Sequence, residues 1–208
     1  MLRTWLQKLE QINSQHRKKL SHELTRKYTK GVIVLTESSH SRTASKKEDK
    51  GFNCGEIKDV LVYQLNKYDD DRGWLAELFR HDELENEFYP VMSYISFTKS
   101  GVQRGPHEHV DQADLFCFLG PSTFKLRLWD NRKDSPTYNN VMTLFVGEDN
   151  AKAVVVPKGV VHGYKNIGSA DGMVINCPNR LYMGEGKREP IDEIRHEDDP
   201  ETIYRMED

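Results

Sequence analysis

The chain reads as an all-β domain, a sandwich, jelly roll or small barrel, with a helical extension at its N-terminus. Three observations carry that reading. After Glu56 the apolar residues fall into eight short runs separated by Gly, Pro, Asn and Asp, the spacing of strands and turns. Within the runs the character alternates: in Phe124-Lys125-Leu126-Arg127-Leu128 apolar and basic side chains point to opposite faces. The length, 208 residues, suits one well-buried domain plus an appendage better than two domains.

Taken in order, residues 1–30 place Leu2, Trp5, Leu6, Leu9 and Ile12 at three-to-four spacing, which predicts an amphipathic helix. Its basic residues (Arg17, Lys18, Lys19, Arg26, Lys27, Lys30) are read as a solvated face docked on a neighbouring subunit rather than a lipid-binding one. A Ser-rich and Lys-rich stretch follows to residue 50, the composition of a linker. The β domain is placed at residues 51–183. Its expected strands are Val60–Tyr63, Trp74–Phe79, Val91–Phe97, Leu115–Leu119, Phe124–Trp129, Val141–Val146, Ala153–Val156 and Met173–Asn176. Small barrels of this kind often hold one ligand inside. Residues 184–208 form an acidic tail expected on the barrel surface.

Composition narrows the partners. A net charge of -3, with 30% charged and 37% apolar residues, gives no nucleic-acid footprint and no disordered character. No run approaches the roughly 18 to 20 apolar residues that a membrane helix requires. Cys54, Cys117 and Cys177 are odd in number and widely spaced, which argues for a reducing, cytoplasmic compartment rather than a disulfide framework. The expected partner is a small soluble ligand.

The chemistry concentrates in Arg104-Gly105-Pro106-His107-Glu108-His109. In an extended segment, residues two apart share a face, so both imidazoles point the same way. Asp114 follows, and far downstream Pro157, Gly159, His162 and Asn166 form a second cluster. A lone His162 would be an ordinary hydrogen-bonded histidine; three together suggest a site. Cys117, between Phe116 and Phe118, reads as a small buried residue and not a nucleophile.

His107, His109 and Asp114 resemble the first cupin motif, H-x-H followed by an acid, and Pro157 to Asn166 fits the second, P-x-G-x-x-H-x-x-x-N, at every fixed position. The resemblance to the cupin superfamily implies a jelly-roll barrel, a double-stranded β-helix, with both motifs lining one cavity. A narrower resemblance covers most of residues 57–182. Asp71-Arg72-Gly73 with Glu77, Arg104-Gly105-Pro106-His107, Asp130-Asn131-Arg132 with Ser135-Pro136-Thr137-Tyr138, Pro157 to Tyr164, and Tyr182 look like the dTDP-4-dehydrorhamnose 3,5-epimerase family. That implies a homodimeric, cofactor-free epimerase of a nucleotide sugar, with His107 as the base, His162 in the sugar pocket, and Arg72, Glu77 and Arg104 as substrate contacts. The paired histidines also resemble those of the sugar 3,4-ketoisomerases, which adds keto-isomerisation; His109 and His162 are then expected to assist His107, and Asn176 and Tyr182 to join the substrate contacts. Removing a proton next to a ketone requires a base of suitable pKa and a donor for the enolate oxygen, and histidine and arginine suit these tasks and the phosphates.

Two departures leave alternatives open. The family's catalytic tyrosine falls at or next to Asn176, so Tyr164 and Tyr182 become candidate replacement acids. His109 and Asp114 stand where the family has other residues, and both are metal-ligand types. His107, His109, Asp114 and His162 together suit a divalent ion such as Fe, Mn, Ni or Zn. The alternatives are thus a metal-dependent cupin, an oxygenase or metal-assisted isomerase, and a non-catalytic sugar-binding cupin. Ser135-Pro136 is also ordinary turn chemistry.

Overall fold

The computed structural model describes residues 48–49 and 51–207, so the expected helix and most of the expected linker lie outside the described residues. The described residues belong to the unit spanning residues 45–208. They form fourteen strands: β1 (Glu48–Asp49), β2 (Phe52–Cys54), β3 (Leu61–Gln64), β4 (Lys67–Asp70), β5 (Gly73–Ala76), β6 (Tyr94–Thr98), β7 (Gln103–Glu108), β8 (Asp114–Phe118), β9 (Thr123–Asp130), β10 (Asn140–Gly147), β11 (Lys152–Val156), β12 (Val160–Asn166), β13 (Gly172–Asn176) and β14 (Ile194–Arg195). Helical structure among them is limited to three single 3-10 turns.

A seven-stranded sheet in the order β1-β2-β10-β9-β12-β7-β14 faces a five-stranded sheet in the order β3-β11-β8-β13-β6. This is the jelly-roll barrel that the motifs imply. Strands β4 and β5 form a separate two-stranded sheet. Phe116 and Phe118 on β8, Phe124, Leu126 and Leu128 on β9, and Val154 and Val156 on β11 fill the space between the two large sheets. Each fully buried side chain of this size contributes about 1.5 to 3 kcal/mol.

The alternate face of β8 and β11, with Leu115, Cys117, Ala153 and Val155, packs outward against Leu78, Leu84 and Phe88. That explains why the expected strand Trp74–Phe79 stops at Ala76: Leu78 leaves the hairpin to cover the five-stranded sheet.

The basic residues of β9 are not solvated, contrary to the simple alternation. Lys125, Arg127 and Trp129 are all buried, and over Arg127 and Trp129 lies the segment from Tyr204 to Glu207. Tyr204 and Met206 pack with Phe52 and Trp129, and the Arg127 guanidinium donates to the Glu207 carbonyl at 3.1 Å. Neither β7 nor β12 has the β-branched run that marks a buried strand, so only their motifs betray them. Their close approach depends on Gly105, which has φ +73°; a Cβ there would lie 2.7 Å from the His162 carbonyl oxygen.

Candidate active site

His107 on β7 is the register partner of His162 on β12, and their ring centroids are 4.5 Å apart. His109, just beyond β7, lies 5.4 Å from His107 and 5.7 Å from His162 by the same measure. Asp114 enters from the opposite sheet as the first residue of β8. One of its oxygens, Oδ2, is 3.2 Å from Nε2 of both His109 and His162. The other, Oδ1, accepts from Gln112 and Asn176, each at 2.9 Å. The three histidines and the carboxylate therefore converge as their spacing suggests, with all four ligand atoms within 4.8 Å of one another.

The backbone turns the rings. His162 Nδ1 contacts the Val160 carbonyl at 2.9 Å, and His109 Nδ1 contacts the Asp192 carbonyl. A ring nitrogen facing a carbonyl carries the proton, so in the neutral rings both Nε2 lone pairs face the ionised Asp114. Oδ2 and His162 Nε2 accordingly have proximity without a directed hydrogen bond, and both are buried and unpartnered. An additional proton or a cation between them would relieve the opposition.

Two histidines two residues apart are driven in opposite directions. Burial, followed by the neighbouring His162 and His109, lowers His107 to about 2, so its ring stays uncharged. Burial also works against charge on His109, but the Asp114 carboxylate and the Asp192 carbonyl outweigh it and raise that ring to about 9. Asp114, although buried, is held below its ordinary carboxylate range by His109 and His162.

A cavity of about 1090 Å³ opens onto His107 and His109. It exceeds the ~300 to 1,000 Å³ of sites for drug-sized ligands. Arg104, Tyr182 and Tyr94 line it. Arg104 is held by Thr98 Oγ1 and the Phe97 carbonyl, both at 3.0 Å. His162 and Asn176 are not among its lining residues; they stand behind the wall, almost fully buried. Arg72 and Glu77 are elsewhere. Arg72, at the exposed tip of the β4–β5 hairpin, pairs with Asp70, and Glu77 borders a separate cavity of about 180 Å³. The Asp130–Tyr138 segment is a turn in which the Asp130 carboxylate accepts from Arg132, Ser135 and Thr137.

The tail supplies residues that sequence reasoning missed. The Asp192 carboxylate accepts three backbone N–H groups, from Val110, Asp111 and Gln112. Glu193 Oε1 lies 3.7 Å from His107 Nδ1, and the Glu197 carboxylate falls in the same cluster. Strand β14 holds this wall against β7, as does His196 Nε2 at 2.9 Å from Glu108 Oε1. The acidic stretch from Asp192 to Asp199, with Ile194 its one apolar residue, gives no sequence signal for such a position.

A jelly-roll barrel whose two motifs bring their histidines into one cluster, with those of the first motif on the wall of a large cavity, defines a cupin-type enzyme. Residues 55–199 match the model of the dTDP-4-dehydrorhamnose 3,5-epimerase family, and the chain belongs to that family. It is similar to a probable low-salt glycan biosynthesis epimerase of Haloferax volcanii, 41% identical over 128 residues that cover 61% of this chain and 81% of the relative. It also resembles a spore coat polysaccharide biosynthesis protein of Bacillus subtilis, 37% identical over 140 residues, 66% of this chain and 91% of the relative. In fold it matches a dTDP sugar isomerase of Desulfovibrio desulfuricans with a TM-score of 0.62 at 20% identity, covering 72% of this chain and 90% of the other. The chain is a nucleotide-sugar epimerase by family, which sets aside the non-catalytic alternative.

Proposed function

We propose that this enzyme inverts or relocates a stereocentre next to the ketone of a nucleotide-activated 4-keto-deoxysugar, with His107 as the base. The observation that carries the reading is His107 itself: an uncharged imidazole at the wall of the large cavity, with an acid beside it. As it stands the ring is a weak base. Closure of the 3.7 Å gap to Glu193 would support the imidazolium that forms when the proton is taken. His109 and His162 assist by holding Asp114, which through Gln112 and Asn176 braces the wall. Arg104 and Tyr182 contact the substrate directly, Asn176 through its neighbours. No cofactor enters this scheme.

Incubation with dTDP-4-keto-6-deoxyglucose in deuterated water tests it. Deuterium is expected at C3, C5 or both, and its absence from all recovered sugar would count decisively against the reading.

Arg72 and Glu77 fit the scheme if a second copy of the chain brings its hairpin to the cavity. The exposed Tyr68, Trp74 and Leu75 on that hairpin support a homodimer. Three free cysteines, one of them exposed, favour the cytoplasm. Among the described residues no helix is long and apolar enough to cross a membrane.

A second reading rests on the opposed lone pairs at Asp114. A divalent ion held by His107, His109, Asp114 and His162 would satisfy them and would act as a Lewis acid towards the substrate carbonyl. Metal analysis of protein purified without chelator, with melting curves before and after EDTA, decides between the ion and a shared proton.

A further inference from the structure

Inversion at carbon requires a proton to leave from one face and return to the other, so the base needs an acid across the substrate from it. His107 belongs to the seven-stranded sheet, and the opposing wall of the barrel is the five-stranded sheet. On that wall the family resemblance puts the usual tyrosine at or next to Asn176, yet an amide cannot protonate carbon and Asn176 does not reach the cavity. Its register partner does. Tyr94 on β6 is paired directly with Asn176 on β13, and it lines the cavity.

The hydrogen bonds give that hydroxyl a direction. Ionised Asp114 can only accept, so it fixes the Asn176 amide with its NH₂ group towards Oδ1 at 2.9 Å. The same nitrogen donates to the Tyr94 hydroxyl oxygen at 2.8 Å. With the oxygen already accepting, the phenolic proton is left for the cavity. The alternatives are less well placed. Tyr164 lies on β12, in the same sheet as His107, with its hydroxyl engaged by Ser96 Oγ at 2.7 Å. Tyr182 lies beyond β13, in the segment where its N–H meets the Met92 sulfur.

We propose that Tyr94 is the catalytic acid of this enzyme, supplied from the strand next to β13, whose end carries Asn176 and no tyrosine. The assignment rests on the epimerase reading and deepens it. His107 breaks the C–H bond next to the ketone and keeps the proton, and the electron pair moves onto the carbonyl oxygen as an enolate. The enolate then re-forms the ketone as its carbon takes the proton of the Tyr94 O–H on the opposite face. Phenolate and imidazolium are left, and exchange with water restores both. Burial, then the Asp114 charge, holds the hydroxyl up at about 12, so it is protonated at neutral pH.

The test separates exchange from inversion. Wild-type enzyme and Tyr94→Phe are incubated with dTDP-4-keto-6-deoxyglucose in deuterated water, and both deuterium content and configuration of the recovered sugar are read by NMR. In Tyr94→Phe, exchange by His107 is expected to persist within a few-fold while inversion falls about 100-fold, the scale of a lost general acid. Label then accumulates in sugar of unchanged configuration. Inversion at the wild-type rate overturns the assignment, as does loss of exchange and inversion together in a variant with unchanged melting temperature. Absence of exchange in the wild type overturns the underlying reading instead, and the assignment with it. As a positioning control, Asn176→Leu is expected to lower inversion more than exchange; equal loss of both overturns the hydrogen-bonded arrangement.

Discussion

The β7–β12 pair and the β4–β5 hairpin both carry residues that the family resemblance links to the substrate, but the chain treats them differently. Strands β7 and β12 are neighbours inside a seven-stranded sheet, where His107 and His162 are held between the barrel walls. The hairpin pairs with neither large sheet, and Arg72 at its tip is exposed and satisfied by its neighbour Asp70. A side chain in the first setting is positioned by its own subunit. One in the second must find its ligand by some other contact. Breaking each in turn should give different kinds of defect.

The largest effect belongs to His107. Replacement by Asn keeps a polar group of similar reach but removes the base, and turnover is expected to fall by about 10² to 10⁴-fold. Melting temperature should change little, because the Nδ1 atom has no hydrogen bond to lose. A variant that retains turnover would move the chemistry away from β7.

Asp114→Asn should damage the fold instead. Its carboxylate is buried among His109, His162, Gln112 and Asn176, and removing one partner from such a cluster costs about 3 to 5 kcal/mol. Urea titration of variant and wild type measures it; a loss below ~1 kcal/mol would show that the histidines do not depend on this charge. The melting temperature reports it where His107→Asn does not.

The contrast between these two residues also marks what was legible. The short apolar runs of β8, β9 and β11 between turn residues are a local property, so the barrel could be read from short windows of sequence, as could histidines two apart on β7. The second motif located β12 without any strand-like run. Three features depend on distant pairing and left no local trace. The tail enters the site through β14 pairing with β7. The Arg127–Trp129 end of β9 is covered by the segment from Tyr204 to Glu207. Tyr94 meets Asn176 only because β6 and β13 align in that register. Sequence reasoning could offer only Tyr164 and Tyr182, which lie in or near motifs, as candidate acids; Tyr94 enters through the register of two strands.

Stability against pH sharpens the comparison within the pocket. His109 is raised to about 9, so its contribution is fully present below 6.5 and is lost as pH rises through 9, a swing of about 3 kcal/mol. His107 is lowered to about 2, so below 6.5 the unfolded chain takes up a proton that the folded chain refuses, and stability falls as pH drops. The site should therefore be most stable near pH 6.5. Urea unfolding between pH 5 and 10 checks this, and His109→Gln should flatten the alkaline side alone. A wild-type profile that rises from 6.5 to 9 would contradict the His109–Asp114 pairing.

The hairpin should give the smallest and most selective defect. Arg72 is exposed, and among the described residues its hydrogen bonds and ion pair are with Asp70, so Arg72→Ala should leave the melting temperature and kcat unchanged. If a second copy delivers this guanidinium to the diphosphate, KM for the nucleotide sugar rises about tenfold, the loss of one charge-assisted contact. Mixing Arg72→Ala with His107→Asn then makes the decisive case. In a dimer with crossed hairpins, one pocket of each mixed pair regains both an intact His107 and an intact Arg72, so part of the wild-type activity returns at low substrate. Without crossing, every pocket of the mixture carries one lesion or the other and nothing is regained. Recovery would place the two regions of the comparison in one site built by two chains; no recovery would leave the hairpin outside the chemistry.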